Sequence, residues 1–113
     1  KIDIDTEVTF SELTRETYET IQRMAPFGQG NPFPVFQTRG ADVLAFDTMG
    51  ADKTHLRMKV KQGQATFDAV GFGLGGYANE IGGKIDLVYN LELDTWNGNS
   101  KLRLNICDFE SGK

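Results

Sequence analysis

Cysteine and histidine are almost missing from this chain: Cys107 and His55 are single occurrences in 113 residues. One cysteine excludes an intramolecular disulfide and any multi-cysteine zinc site. One histidine excludes a histidine-rich metal centre, and no metal site is expected in the chain. Proline is absent outside positions 26–34. No apolar run approaches the ~18 residues of a membrane span, so no membrane partner is expected. Internal repeats and low-complexity segments are lacking. The first residues carry no apolar leader segment, and the chain starts at Lys1 rather than Met. The expectation is a piece of a longer, cytoplasmic protein. What is present is ordinary for a single soluble domain: 39% apolar and 25% charged residues. That balance excludes a disordered tail, a collagen-like repeat and a coiled coil.

The net charge of −4 is unevenly spread. Residues 1–34 carry −3, residues 35–63 carry +2, residues 64–94 carry −4 and residues 95–113 carry +1. An acidic whole argues against a bulk nucleic-acid binder, but two positive blocks allow a basic stripe on an acidic body.

Lys1–Asp5 alternates polar and apolar residues as a short edge strand would. Ser11–Met24 reads as a helix, with Leu13, Tyr18, Ile21 and Met24 or Ala25 on one face and Ser11 or Thr14 as N-cap. Pro26 stops it. Pro26-Phe27-Gly28-Gln29-Gly30-Asn31-Pro32-Phe33-Pro34 follows, three prolines and two glycines in nine residues, which forbids regular structure and reads as a shaped linker. Beyond it the chain is strand-rich. Val35–Phe46 is a long strand with a bulge expected at Gly40. Thr54–Lys61 alternates His55, Arg57, Lys59 and Lys61 with Leu56, Met58 and Val60. Gly63 turns the chain into Ala65–Phe72. Gly73–Gly83 has room for a turn or two of helix. Ile85–Asp94 and Lys101–Cys107 alternate again around Trp96-Asn97-Gly98-Asn99, where Asn-Gly signals a hairpin. Five strands, a short helix between the third and fourth and a hairpin joining the last two are the order of an OB barrel, with a plain meander as the alternative. The fold class expected is therefore mainly β: residues 1–34 form a connecting strand, helix and linker, and residues 35–113 a five-stranded OB-fold domain.

Gly71-Phe72-Gly73-Leu74-Gly75-Gly76 satisfies G-x-G-x-x-G. A dinucleotide site needs a full helix after the glycines and a second parallel strand. Gly82-Gly83 ends any helix too soon, so a permissive loop is the better reading. The face carrying His55, Arg57, Lys59 and Lys61 is the most informative feature. Along one strand these side chains stand ~6.6–7 Å apart, close to the phosphate repeat of an extended single strand. Arg57, Lys59 and Lys61 are thus candidates for successive phosphates, with Lys101 and Arg103 on the last strand and Arg39 on the first as extensions. The same pattern also suits a solvated edge strand guarded by lysines. Aromatic platforms are absent beside these cations unless His55 serves. Trp96, Phe46 and Phe72 flank loops with which OB barrels bind, and each suits barrel-end packing equally well. No catalytic set emerges: Ser11, Ser100 and Ser111 lack a nucleophile-elbow context, Cys107 has one candidate histidine partner, and Asp3-Ile4-Asp5 resembles a metal-binding pair that strand alternation explains equally well.

The run Pro26-Phe27-Gly28-Gln29-Gly30-Asn31-Pro32-Phe33-Pro34-Val35-Phe36 resembles the P-F-G-x-G-N-P-x-P-x-F signature of the RecJ family of single-stranded-DNA-specific exonucleases. Pro26, Phe27, Gly28, Gly30, Asn31, Pro32 and Pro34 are its structural positions here. Leu56-Arg57-Met58-Lys59-Val60 resembles the basic second strand of that family's C-terminal OB domain, Phe67 to Gly73 its third strand, and Trp96-Asn97-Gly98 its hairpin. The family's aspartate and histidine motifs, D-H-H among them, are not in this chain. The resemblance therefore implies that 5′-to-3′ degradation of single strands, with Mn2+ or Mg2+, belongs to a catalytic domain of the parent protein, in DNA repair and recombination. The fragment itself is expected to be no enzyme and to need no cofactor. It is expected to bind and position single-stranded DNA, partnered by the parent's catalytic domains. The alternative is a scaffold that braces those domains or receives a partner such as a single-strand-binding protein.

Overall fold

The computed structural model describes residues 6–23, 35–50, 52–96 and 98–111. The Lys1–Asp5 strand, Met24 and Ala25 of the helix, and the whole Pro26 to Pro34 signature lie outside the described residues. Strand β1 is only Thr6–Glu7, lying parallel to Phe36 and Gln37. A 3-10 turn over Phe10–Glu12 follows, and helix α1 spans Arg15–Gln22. The helix is thus shorter than the apolar spacing from Ser11 predicts, because residues 10–12 form their own turn. Thr14 is the N-cap: its Oγ1 accepts from the Thr17 N–H at 3.2 Å. In the preceding turn the Thr9 N–H donates to Glu12 Oε1 at 3.0 Å, and the backbone and hydroxyl donors of Thr9 hold the Glu12 carboxyl below its ordinary pKa.

The remaining strands are β2 (Phe36–Met49), β3 (His55–Gln62), β4 (Ala65–Gly71), β5 (Lys84–Trp96) and β6 (Asn99–Ser111). A second 3-10 turn, Gly75–Glu80, lies between β4 and β5, where the short helix is expected. The first half of β2 pairs with β5 and its second half with β3, so one strand serves two neighbours. The turn in direction falls at Gly40, where the register against β5 shifts between Thr38 and Ala41. Its φ of 71° is a conformation that glycine adopts without steric cost, and its N–H donates to Asp86 Oδ1 at 2.8 Å. The closing contact is β4 parallel to β6. The order β2-β3-β4-β6-β5 and back to β2 is a closed five-stranded OB barrel.

Alternation puts Leu56, Met58, Val60, Ile85, Leu87, Tyr89, Leu91, Leu104 and Ile106 inside, all buried. Phe10 also lies fully buried in this core, edge-on to Phe67 at 5.2 Å and to Tyr89 at 6.5 Å. No sequence period points to Phe10: it stands alone between Thr9 and Ser11, and only the 3-10 turn aims it into the barrel. Its N–H donates to Gln62 Oε1 at 2.7 Å, and Gln62 Nε2 donates to the Arg39 carbonyl at 2.8 Å. Among the described residues, no helix is long and apolar enough to cross a membrane.

Candidate nucleic-acid interface

Because Leu56, Met58 and Val60 point into the barrel, Arg57, Lys59 and Lys61 point out of it. All three are exposed, and none forms an ion pair with a described residue. His55 belongs to the same alternation but is half-buried. Its Nδ1 accepts the Gly73 N–H at 3.0 Å, and its ring meets the edge of Phe72 at 5.4 Å. His55 is therefore tied to the end of β4.

Residues opposite one another on paired strands share a face. The row through Lys59 runs Ala45, Lys59, Asp68, Arg103 and Glu92 across β2, β3, β4, β6 and β5. Arg103 lies in this row and Lys101 two residues before it on β6, whereas Arg39 lies on the first half of β2 in a separate cleft with Asp86 and Glu110; the structure gives each of the three an acidic partner. Arg103 is held by Glu92 at 2.6 Å and by Asp94 at 3.6 Å. Lys101 is ion-paired with Asp68. Arg39, on the first half of β2, faces Glu7 at 3.4 Å. The structure thus divides the candidates into the unpaired set Arg57, Lys59 and Lys61 and the paired set Arg39, Lys101 and Arg103. Sequence spacing shows which face a side chain takes; the acid that meets it comes from a strand distant in sequence.

The expected lack of an aromatic beside the cations is corrected by the shape of the surface and not by the register, which sets Phe46 opposite Met58. Phe46, near the end of β2, stays 48% exposed and lines a shallow groove of about 350 Å3 with Arg57 and Lys59. Phe72 is exposed as well, over His55. The side chain of Trp96 and the whole of Asn97 fall outside the described residues. A neighbouring cleft of about 500 Å3 is bordered by Arg15, Lys59, Asp68 and Lys101. Arg15 is a residue that the sequence pattern does not single out. Helix α1 brings it to the β5–β6 hairpin, where its Nη1 donates to Ser100 Oγ at 3.0 Å.

The described serines and the cysteine are tied up or held protonated. Ser11, Ser100 and Ser111 are engaged by Thr9, Arg15 and the Gly82 N–H. Burial, followed by the nearby Asp108, pushes the Cys107 thiol above its ordinary pKa, away from the nucleophilic thiolate. Among the described residues no three His, Cys, Asp or Glu side chains converge to hold a metal ion. In the G-x-G-x-x-G run, a Cβ on Gly71 would stand 2.7 Å from Leu74 Cδ1, and Gly73 has φ 79°. These glycines serve a tight turn into a 3-10 segment, in keeping with the loop reading.

Comparison with known proteins adds four findings. The model of the family described as RecJ OB domain matches residues 4–108. The single-stranded-DNA-specific exonuclease RecJ of Bacillus subtilis is 29% identical over 108 residues, covering 94% of this chain and 14% of that protein. Among solved structures, RecJ of Thermus thermophilus with Mn2+ superposes with a TM-score of 0.77 at 19% identity, over 99% of this chain and 16% of its own. The Saccharomyces cerevisiae mitochondrial single-stranded DNA binding protein Rim1 shares the fold at a TM-score of 0.53 and 12% identity, over 71% of this chain and 99% of its own. The chain thus spans 14% to 16% of the length of these RecJ proteins.

Proposed function

The chain belongs to the RecJ OB domain family, and on that premise we propose that it holds single-stranded DNA for a nuclease centre elsewhere in a longer RecJ-like protein. The observation that carries this reading is the groove shared by Phe46, Arg57 and Lys59. Unpaired cations beside an exposed ring are the two halves of a single-strand site: the cations meet phosphates and the ring stacks a base without regard to sequence. In this reading the parent protein degrades single strands from the 5′ end in DNA repair and recombination, in the cytoplasm, and the catalytic domains are this chain's first partners. Mn2+ or Mg2+ would be held in those domains; the described residues offer no ligand set for either.

Binding should be weak and salt-sensitive. Each neutralised phosphate contributes about −0.7 to the slope of log K against log salt for a single strand. Titrating fluorescent oligo-dT against wild type and against the double variant Arg57→Gln, Lys59→Gln tests the reading. The expected result is weaker binding and a slope flatter by about 1.4. Wild-type affinity and slope in the double variant would overturn it.

A second reading, a brace for the catalytic domains or a dock for a single-strand-binding protein, is favoured by the charge pairing. Arg39, Lys84, Lys101 and Arg103 all meet carboxylates within the chain, so the free positive surface is small. The titration separates the two readings, since a pure brace shows no salt-dependent binding of oligo-dT.

A further inference from the structure

The geometry points to a strand path that crosses the sheet from β2 towards β6 and α1, with Arg15 and Lys101 meeting a second phosphate and Asp68 competing for it. This inference rests on the single-strand reading and gives it a direction. The spacing along β3 suggests a track from Arg57 through Lys59 to Lys61. The surface is shaped otherwise. Lys59 and Asp68 border both the groove of Phe46 and Arg57 and the cleft of Arg15 and Lys101, so the two depressions meet across this pair. Lys61 borders neither.

From β2 to β6 the path crosses three strand intervals, ~14 Å at ~4.8 Å each. At the ~6.6–7 Å phosphate repeat of an extended strand that is about two phosphate intervals, or about three nucleotides, just short of the roughly four to sixteen nucleotides that one OB fold holds, so this stretch is the central part of such a site. At its far end Arg15 uses one N–H on Ser100; a guanidinium has five, which leaves donors for a phosphodiester. The Lys101 ammonium is present in the same cleft but committed to Asp68. Asp68 stands opposite Lys59 on one side and Arg103 on the other. A phosphate entering there must draw Lys101 away from Asp68 and tolerate the carboxylate. The pair therefore acts as a built-in competitor that keeps affinity low.

Three single variants of the 113-residue chain, titrated with oligo-dT over a range of salt, test the path beside the Arg57, Lys59 double variant. Melting curves confirm that each is folded; Arg15, Lys61 and Asp68 lie outside the buried core. Arg15→Gln should weaken binding and flatten the slope by about 0.7. Asp68→Asn should tighten binding roughly two- to fivefold at low salt by freeing Lys101. Lys61→Gln should change affinity less than Arg15→Gln does. If Arg15→Gln matters no more than Lys61→Gln, or Asp68→Asn fails to tighten binding, while the double variant still binds weakly, the crossing path is wrong and the single-strand reading stands. Wild-type behaviour in the double variant, or no binding by the wild type, overturns both.

Discussion

Tyr89 ties the barrel to the N-terminal segment through one hydroxyl pair. Thr38 Oγ1 donates its only proton to the Val8 carbonyl at 2.9 Å, so the Tyr89 hydroxyl, 2.6 Å away, donates to Thr38. Both side chains are fully buried. Burial pushes the Tyr89 phenol up to about 12, aided by the Glu12 charge. The folded state therefore holds this proton more tightly than the unfolded chain, whose phenol ionises near pH ~10. The resulting stability is intact below that pH and lost as the pH rises through the folded value. The full loss is on the order of 3 kcal/mol. Tyr89→Phe should cost about 1 kcal/mol at neutral pH, because Thr38 keeps its own acceptor. It should also remove this part of the alkaline decline. Urea unfolding at pH 8, 10 and 11 checks both, and an alkaline decline that is the same in Tyr89→Phe as in wild type would show that the buried phenol is not its source. Alternation along β5 shows that Tyr89 points inward; its partner Thr38 lies 51 residues away and is legible only once β2 and β5 are paired.

The strands and the segment joining β4 to β5 differ in how openly the sequence states them. Period-two alternation marks β3, β5 and β6 directly, because one face of each is apolar and the other charged. Glycine spacing in the Gly71 to Gly76 segment does not separate a nucleotide loop from a packing constraint; close approach does. A Cβ on Gly75 would lie 2.1 Å from the Lys53 carbonyl oxygen and 2.7 Å from the Thr54 carbonyl carbon, whereas one on Gly76 meets nothing within 4 Å. Gly75 also donates its N–H to the Thr54 carbonyl at 2.8 Å. The 3-10 turn is thereby pressed onto the chain entering β3, immediately before the His55-to-Lys61 face. Gly75→Ala should cost about 3 kcal/mol through forced displacement of backbone, and Gly76→Ala should be near neutral. Thermal melts of the two variants decide it: equal melting temperatures would mean that this approach does not constrain the element. The unpaired state of Arg57 and Lys59 and the exposure of Phe46 were illegible for a related reason, since they depend on which strands are neighbours rather than on the period of any one strand.

At the scale of the molecule, the first helix-bearing segment and the barrel are one packing unit. Phe10, Leu13 and Ile21 are buried in the same cluster as Leu56, Leu87 and Leu104. Phe10 is in ring contact with β4 through Phe67 and with β5 through Tyr89, and its backbone is held by Gln62 of β3. An expectation built on composition separates residues 1–34 from the strand-rich remainder, because amphipathic spacing stops at Pro26 and strand alternation starts after Pro34. Burial of a lone phenylalanine leaves no such trace in composition. The arrangement also matters for binding, since the segment that carries Phe10 delivers Arg15 to the cleft beside Lys101. Phe10→Ala should therefore lower the stability of the entire described fold by about 3–5 kcal/mol, the usual cost of emptying a phenylalanine site in a core. It should do so as one transition, with far-UV and near-UV circular dichroism melting together. The same variant should weaken oligo-dT binding only in proportion to the unfolded fraction, because Phe10 is fully buried and meets no solvent. Two separate transitions, with the barrel's midpoint unmoved, would show instead that the N-terminal segment docks on the barrel without stabilising it.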